Sequence, residues 1–474
     1  MKVLLVNPWS LKKFNVIVIP NISLGYLAAS LMKAGHEVEI LDCVRDRIDP
    51  DQFESRIREN PDYDLIGFSL FTTYVGAVKK YTEAIKRINP RIATAVGGPH
   101  AVLEPVETLE ILTDVDFGFR GEAEIGICQL VEVLGMEADP YGHDRLREVD
   151  NLVWRDKGGE IVCNPRVMID DLDSLPYPPW DIMNPGKYPL APIGVFSKRR
   201  KVAPIIATRG CPYPCTFCAA GKMSGKKMRT RSVENILDEI KLLVDKFGVE
   251  EINILDDNFT LQHKLVEDFC HGLIDNNIDI TWSCPNGVRL DTLDAELLKL
   301  MERAGCYSFG VGIEWGTSKM LKITRKCVTL ATIREKVDLI KANTNIRVTG
   351  FFMLGHPEET IEDVEATIDF ACSLNIDRAN FFNFSPFPGI VEYDKLKREG
   401  KVIKNWYDSL YINSVVYTPR QMTRQQLVNL QRKAFWRFYT RPRIFFNILK
   451  EIKSFSQFMV VFKKSMRLVF VHGQ

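Results

Sequence analysis

An α/β protein of two strand–helix halves and a helical tail is what this sequence predicts. Three observations carry that reading. Short apolar runs alternate with helix-period patterns over residues 1–135, the alternation of a doubly wound sheet. The alternation pauses across residues 136–200, where turn-forming residues gather, and resumes six times over residues 201–385. Residues 386–474 lose the strand pattern and turn helical.

In the first half, Val3–Val6, Glu37–Leu41, Leu65–Phe68, Ile92–Val96 and Val115–Gly118 read as buried parallel strands. Leu24–Lys33 and Val75–Ile88 have helical apolar spacing. Ligands of such sheets sit beyond the strand C-termini. Those ends are Asn7-Pro8, Ser69-Leu70-Phe71-Thr72-Thr73 and Gly97-Gly98-Pro99-His100. Paired glycines let a large flat ligand or its tail approach the backbone, because no Cβ intervenes. Gly121-Glu122-Ala123-Glu124 reads as the opening of the next helix, with acid in its first turn to match the dipole.

Residues 136–200 read as an interdomain connector. Asp139-Pro140 marks a turn, and Leu152–Arg155 with Glu160–Cys163 forms a hairpin around Lys157-Gly158-Gly159. Leu175-Pro176-Tyr177-Pro178-Pro179-Trp180 then delivers the chain stiffly to the second half.

There the strands are Ala203–Ala207, Glu251–Leu255, Ile280–Ser283, Ser308–Ile313, Arg347–Met353 and Arg378–Phe384. Helical patterns over Val233–Phe247, Lys264–Asn276, Ala295–Ala304, Leu330–Ala342 and Ile361–Leu374 separate them, which implies a parallel sheet with right-handed crossovers. Six units suit a partial (β/α)6 barrel of the TIM type, with its chemistry at the strand C-termini. Polar residues gather at those ends: Asp256-Asp257-Asn258, Asn286 to Arg289, Gly312 and Glu314, then Gly350 and Gly355-His356. Simpler roles stand beside these. Asp257 and Asn258 serve as caps near Thr260, Glu358 and Glu359 as helix-start charges, His356 as a turn residue, and Lys226–Arg231 as a solvated basic loop.

The loop leaving the first barrel strand reads Thr208-Arg209-Gly210-Cys211-Pro212-Tyr213-Pro214-Cys215-Thr216-Phe217-Cys218. Its cysteines have C-x3-C-x2-C spacing. Three thiolates can hold three irons of a [4Fe–4S] cluster and leave the fourth iron open. A structural zinc site takes four closed ligands, and no fourth Cys or His stands nearby. The other cysteines are scattered singly, which favours a reducing compartment over a disulfide framework. The hydrophobic content of 46% and charged content of 26% are those of a globular protein, and a net charge of +1 makes no global case for nucleic acid. Met1–Val6 reads as a strand rather than a signal peptide, and no apolar run reaches membrane-spanning length.

With Phe217 as the aromatic, C-x3-C-x-aromatic-C resembles the signature of radical S-adenosylmethionine (SAM) enzymes. The resemblance implies a metal set of Cys211, Cys215 and Cys218, with SAM on the open iron. It also implies that Asp256 or Asp257 meets the SAM amino group, that Glu314 meets the ribose, and that the stretch from Gly350 to Gly355 lines the adenine. Phe217, Arg289 and Gly312 join them as SAM contacts. The family's usual Gly-Gly-Glu after the second barrel strand is here Leu255-Asp256-Asp257.

Residues 1–135 resemble the Rossmann-like cobalamin (B12) binding domain that precedes many radical SAM cores. Ser69, Gly97 and Gly98 match the positions that accommodate the nucleotide tail, and His100 stands beside them as a candidate contact. The Asp-x-His-x-x-Gly motif, whose His ligates cobalt in other B12 proteins, is absent. The combined resemblance implies a cobalamin-dependent radical SAM enzyme. It implies C-methylation of an unactivated carbon in a small-molecule or lipid substrate. In that scheme an adenosyl radical makes a substrate radical, which takes a methyl from methylcobalamin, and a second SAM restores the methyl. An oxidative cyclase of the tetrapyrrole type is the alternative enzyme, and a non-catalytic cobalamin or redox sensor the alternative class. A reductant such as ferredoxin or flavodoxin, no nucleic-acid partner and a cytoplasmic location go with this reading. Beyond Thr440 the chain carries seven Lys/Arg against one acid, mixed with Phe445, Phe446, Phe455, Phe458, Met459, Phe462 and Phe470. That segment reads as amphipathic and suited to peripheral contact with a membrane surface, while Lys463 and Lys464 interrupt any span.

Overall fold

A computed structural model describes residues 1–9, 18–136, 144–189, 197–401, 415–452 and 459. The Asp139-Pro140 turn and the tail phenylalanines Phe455, Phe458, Phe462 and Phe470 lie outside them.

The first sheet is built on β1 (Lys2–Asn7), whose Val3 to Val6 are buried on both faces, as a central parallel strand requires. β2 (Glu37–Asp42), β3 (Leu65–Ser69), β4 (Ala93–Gly97) and β5 (Phe117–Phe119) complete the parallel part, in the order β2-β1-β3-β4-β5. Helix Ile22–Lys33 starts where the Asn21 side chain accepts the Leu24 N–H, and helix Val75–Ile88 buries Val78, Tyr81 and Ile85. Helix Pro50–Glu59 has a capping box between Asp49 and Gln52 and docks through Phe53 and Ile57 alone.

The expected hairpin exists, as β6 (Leu152–Arg155) and β7 (Ile161–Cys163), but it is not connector. β6 pairs antiparallel with β5, so the sheet has seven strands ending in β5-β6-β7. Leu152, Val153 and Trp154 are buried there, which is the reason the pair docks.

The second sheet contains β8 (Val202–Ile205) and, after the two-stranded ribbon β9 (Thr208–Arg209) and β10 (Arg229–Thr230), continues through five more strands. These are β11 (Glu251–Ile254), β12 (Thr281–Val288), β13 (Cys306–Glu314), β14 (Arg347–Leu354) and β15 (Arg378–Asn383). All neighbours run parallel, in the order β15-β14-β13-β12-β11-β8. Among the described residues β8 and β15 do not pair, so the barrel is open, as six strand–helix units predict.

Helix Arg424–Tyr439, capped by Thr423, packs on β15 through Leu427 and Phe438. Helix Val391–Arg398 lies in the stretch expected to be a C-terminal extension, but it serves the first half. Phe384, Ile390 and Tyr393 share one buried cluster with Leu4, Phe53 and Tyr81. Phe217 and Met353 touch both that cluster and the barrel core, so the two halves meet across a continuous apolar seam.

Candidate functional site

A cavity of about 380 Å³ lies where the C-terminal ends of the two sheets face each other. Ser69, Phe71, Gly97 and Gly98 line it from the first half, and Arg209, Asp256 and Asp257 line it from the barrel. At Gly97 a Cβ would meet nothing nearer than Phe119 Cβ at 3.9 Å, so the backbone is open to a ligand. Gly98 has φ +107°, and its Cβ would stand 3.2 Å from the Leu70 backbone, so this turn needs glycine. His100, offered as a ligand contact, turns away. It is 1% exposed, its Nδ1 lies 3.3 Å from the Thr72 hydroxyl, and it is absent from the cavity wall. Burial lowers its imidazole to about 4, so it is neutral.

The cysteine loop leaves β9 through Gly210 at φ +101°, where a Cβ would collide with the Lys227 carbonyl at 2.3 Å. The Cys211 N–H donates to Gly225 O (3.0 Å), the Cys218 N–H to Cys215 O (3.2 Å), and the Ala220 N–H to Cys218 Sγ (3.5 Å). Cys218 is accessible at its edge, yet the protein packed around its sulfur desolvates it and pushes the thiol up to about 11. Burial raises Cys215 too, against the pull of Lys326 and Arg289. Cluster uptake therefore displaces protons from this loop. Among the described residues no three His, Cys, Asp or Glu converge on a single metal ion. A cubane places each thiolate on a different iron, so a loop of three spaced thiols fits the cluster by its donor set.

Around this loop stand several of the expected contacts. Phe217 lies edge-on to Trp315 at 5.1 Å, with Lys326 Nζ 5.5 Å from its ring. Glu314, at φ +67°, accepts from Lys326 Nζ (3.1 Å). Gly312 leaves room for that pair, since its Cβ would stand 2.5 Å from Glu314 Oε1. Arg289 lies over the Tyr213 ring at 3.6 Å, pairs with Asp291 (2.9 Å) and donates to the Lys326 carbonyl (3.1 Å).

Asp256 is buried and aimed at the cavity. Its Oδ1 accepts the Ala207 N–H (2.8 Å) and the Thr208 hydroxyl and amide lie against the carboxylate, while Oδ2 makes no close, well-aligned hydrogen bond among the described residues. Burial raises the carboxyl to about 7. Such an orphaned acceptor suits a cationic or hydroxyl ligand group. Asp257 opens onto the same cavity, and desolvation raises it against a hydrogen bond from Ser224. Asn258 does not cap: it is buried and neither amide atom has a partner among the described residues.

Gly350 and Gly355 are not brought to the site. A Cβ on Gly350 would meet Ile376 and Phe352 at 2.8 Å, on the helix-facing side shared with Val348 and Leu354. The opposite side of β14 presents Phe351, which fills the space over Gly287 and Gly310. Gly355 is glycine because it sits at φ +88° and a Cβ there would stand 2.5 Å from Leu427 Cδ2.

Three expectations about charges are corrected. Helix Gly126–Met136 begins after Glu122 and Glu124, so neither is a first-turn acid. Glu122 instead receives both Arg229 nitrogens (2.7 and 2.8 Å), and Glu124 pairs with Arg209 (2.7 Å). These buried pairs tie the first half to the ribbon β9–β10 beside the cysteines. Arg229 is likewise no solvated basic residue, being buried. Glu359 is fully buried, its Oε2 accepts the His356 N–H (2.7 Å), and desolvation drives it to about 8.

A glycine-edged sheet end facing the buried Asp256 across one cavity, with a three-thiol loop on the adjoining parallel barrel, fits an iron–sulfur enzyme with a ligand-binding front domain. Family models match in that order: the B12 binding domain over residues 17–131 and the Radical SAM superfamily over residues 205–371. The chain belongs to the radical SAM enzymes that carry an N-terminal B12-binding domain. The cofactors of that family are a [4Fe–4S] cluster, SAM and cobalamin. An uncharacterized methyltransferase of Pyrococcus horikoshii is 29% identical over 469 residues, 97% of this chain and 96% of that protein. The cytidylyl-2-hydroxyethylphosphonate methyltransferase of Streptomyces wedmorensis is 28% identical over 87% of this chain and 84% of its own. In fold, the chain is similar to the radical SAM methyltransferase TsrM of Kitasatospora setae, solved with cobalamin and a [4Fe–4S] cluster. That likeness has a TM-score of 0.67 at 19% identity, covering 89% of this chain and 79% of that one. No helix among the described residues is long and apolar enough to cross a membrane.

Proposed function

We propose that this chain is a cobalamin-dependent radical SAM methyltransferase acting on an unactivated carbon of a small-molecule or lipid substrate. One observation carries the reading. The glycine-lined end of the first sheet and the orphaned Asp256 of the barrel open into a single cavity. Ligands held by those two walls would share that one space.

When bound, the cluster with SAM supplies a hydrogen-abstracting radical, and the corrin supplies a methyl group. The chain does the rest. Cys211, Cys215 and Cys218 hold the cluster. Asp256 and Asp257 are proposed to receive the SAM ammonium, which satisfies the free Oδ2 and returns Asp256 to its ionised form. Glu314 is proposed to release Lys326 and accept the ribose hydroxyls, leaving Lys326 for a carboxylate. Gly97, Gly98 and Ser69 seat the corrin tail. The apolar seam through Phe217 and Met353 joins the two halves. Exposed Phe445, Phe446 and Leu449 on helix Pro442–Glu451 support contact with a lipid substrate or membrane surface. A low-potential reductant, such as ferredoxin or flavodoxin, completes the proposal.

Anaerobic reconstitution of the full chain tests it. Iron, sulfide and corrin are quantified, then 5′-deoxyadenosine and methylated product are measured after reduction. Cys215→Ala is expected to lose the cluster and all 5′-deoxyadenosine. A wild-type protein that holds its cluster but never cleaves SAM is a sensor, and the proposal fails.

A further inference from the structure

The cysteine loop is gripped by side chains that hold no cofactor. Thr216, between Cys215 and Phe217, donates from its hydroxyl to Glu392 Oε1 (2.8 Å). Its backbone is fastened on both sides: the N–H donates to Thr324 O, and its carbonyl accepts the Val391 N–H, each at 3.1 Å. Glu392 Oε1 also lies 3.2 Å from His356 Nε2. His356 Nδ1 accepts the Glu358 N–H (3.2 Å), so the ring proton sits on Nε2 and is donated to Glu392. The three side chains are buried, Thr216 at 9%, Glu392 at 8% and His356 at 1% exposure.

The aromatic contacts close a ring around the same point. His356 packs edge-on to Trp315 (5.6 Å), and Trp315 packs edge-on to Phe217 (5.1 Å). The residue after Cys215 and the residue before Cys218 therefore both end on His356, one through Glu392 and one through Trp315. Glu392 itself has little freedom. It sits on helix Val391–Arg398, between Ile390 and Tyr393, which are locked in the first half's core.

Stability alone does not account for a carboxylate here. Glu392 Oε2 is buried with no hydrogen-bond partner among the described residues, a cost that an apolar side chain would avoid. A charged acceptor at this place makes sense when the direction of the loop matters more than its tightness.

We propose that Thr216, Glu392 and His356 are positioning residues that set the orientation of the Cys215–Cys218 arc, and so the direction in which a cluster held by that arc would point. The proposal rests on the cluster assignment above. It adds that the loop's aim is fixed from the segment following the barrel.

The test uses the reconstituted full-length protein and the EPR spectrum of its reduced cluster, recorded with and without SAM. Thr216→Val removes the donor at constant volume, Thr216→Ser keeps it, and Glu392→Gln keeps an acceptor without the charge. Thr216→Val is expected to retain iron and sulfide but to shift the g values and bind SAM about tenfold more weakly, the scale of one charge-assisted hydrogen bond. Thr216→Ser restores both, and Glu392→Gln shifts the spectrum in the same direction as Thr216→Val. If Thr216→Val loads no iron, Glu392→Gln and Thr216→Ser decide. An unshifted Glu392→Gln spectrum, or a serine variant that fails to rescue, overturns the proposal. So does a valine variant whose spectrum and SAM response match wild type. A wild-type protein that takes up no cluster sinks the family-based reading and this inference together, which is distinguishable from failure of the inference alone.

Discussion

Glu122→Ala is expected to be among the most damaging single changes outside the cysteine loop. Glu122 accepts from Arg229 at 2.7 and 2.8 Å, from the Ile169 N–H at 2.8 Å, and lies 3.3 Å from Arg209. The Arg229 side chain is 3% exposed, so among the described residues alanine leaves a guanidinium in the interior with carbonyl partners alone, Ile169 O and Ser224 O. Removing one partner of a buried pair costs about 3–5 kcal/mol, and those carbonyls place this case near the lower end. Glu122→Gln, which keeps an acceptor, is expected to cost about 1–2 kcal/mol. Burial alone would raise the Glu122 carboxyl, but the arginines and the Ile169 amide outweigh it and hold it low. A depressed acid stabilises the fold above its unfolded value and loses that contribution as pH falls through the lowered one. The wild-type advantage over Glu122→Ala should therefore be full at pH 7 and shrink in acid. The assay is urea unfolding followed by circular dichroism at low and high salt. A loss under about 1 kcal/mol that vanishes in high salt is the behaviour of a solvated helix-end acid, and it would refute the buried-bridge account.

Two further outcomes follow from the cavity walls. Asp256 is raised to about 7, so its ionisation opposes folding: stability is full below the unfolded value near 3.8 and is lost as pH rises through 7. Ligand-free Asp256→Asn should melt higher than wild type at pH 8, by up to about 4 kcal/mol, with no gain below pH 4; a gap that does not grow with pH refutes the assignment. Gly97→Val adds a side chain into space empty to 3.9 Å, so stability should change by less than about 1 kcal/mol while cobalamin uptake, read by visible absorbance, falls sharply. Stoichiometric corrin in that variant would show the ligand seated elsewhere.

Much of the fold was legible because its signals are local. Val3–Val6 and Leu65–Phe68 are continuous apolar runs, and their burial on both faces produced those runs. Helix Pro50–Glu59 escaped because only Phe53 and Ile57 face the core, too few to mark a period. The hairpin β6–β7 was visible as a hairpin, but a turn signal does not say which sheet edge it joins. Gly350 was misplaced despite an available signal: Val348, Phe352 and Leu354 alternate with it and fix its face. Glu122 is different in kind. Its partner Arg229 lies 107 residues away, and no local pattern carries such a pairing. The same holds for Thr216 and Glu392, 176 residues apart. The cysteine spacing was readable because all three donors lie within one loop, whereas the groups that aim it come from across the chain.

Ile390 and Tyr393 belong to the same buried cluster as Leu4 and Phe53. During synthesis the ribosome completes that cluster last, after every barrel strand has emerged. Until then that core, closed elsewhere by the helices bearing Phe53 and Tyr81, stays incompletely covered, and a nascent or truncated chain carries a sticky patch that invites chaperones or aggregation. Chain termination just after β15 is thus expected to harm both halves at once, because it strips Ile390 and Tyr393 from the amino-terminal core as well as Leu427 and Phe438 from the barrel.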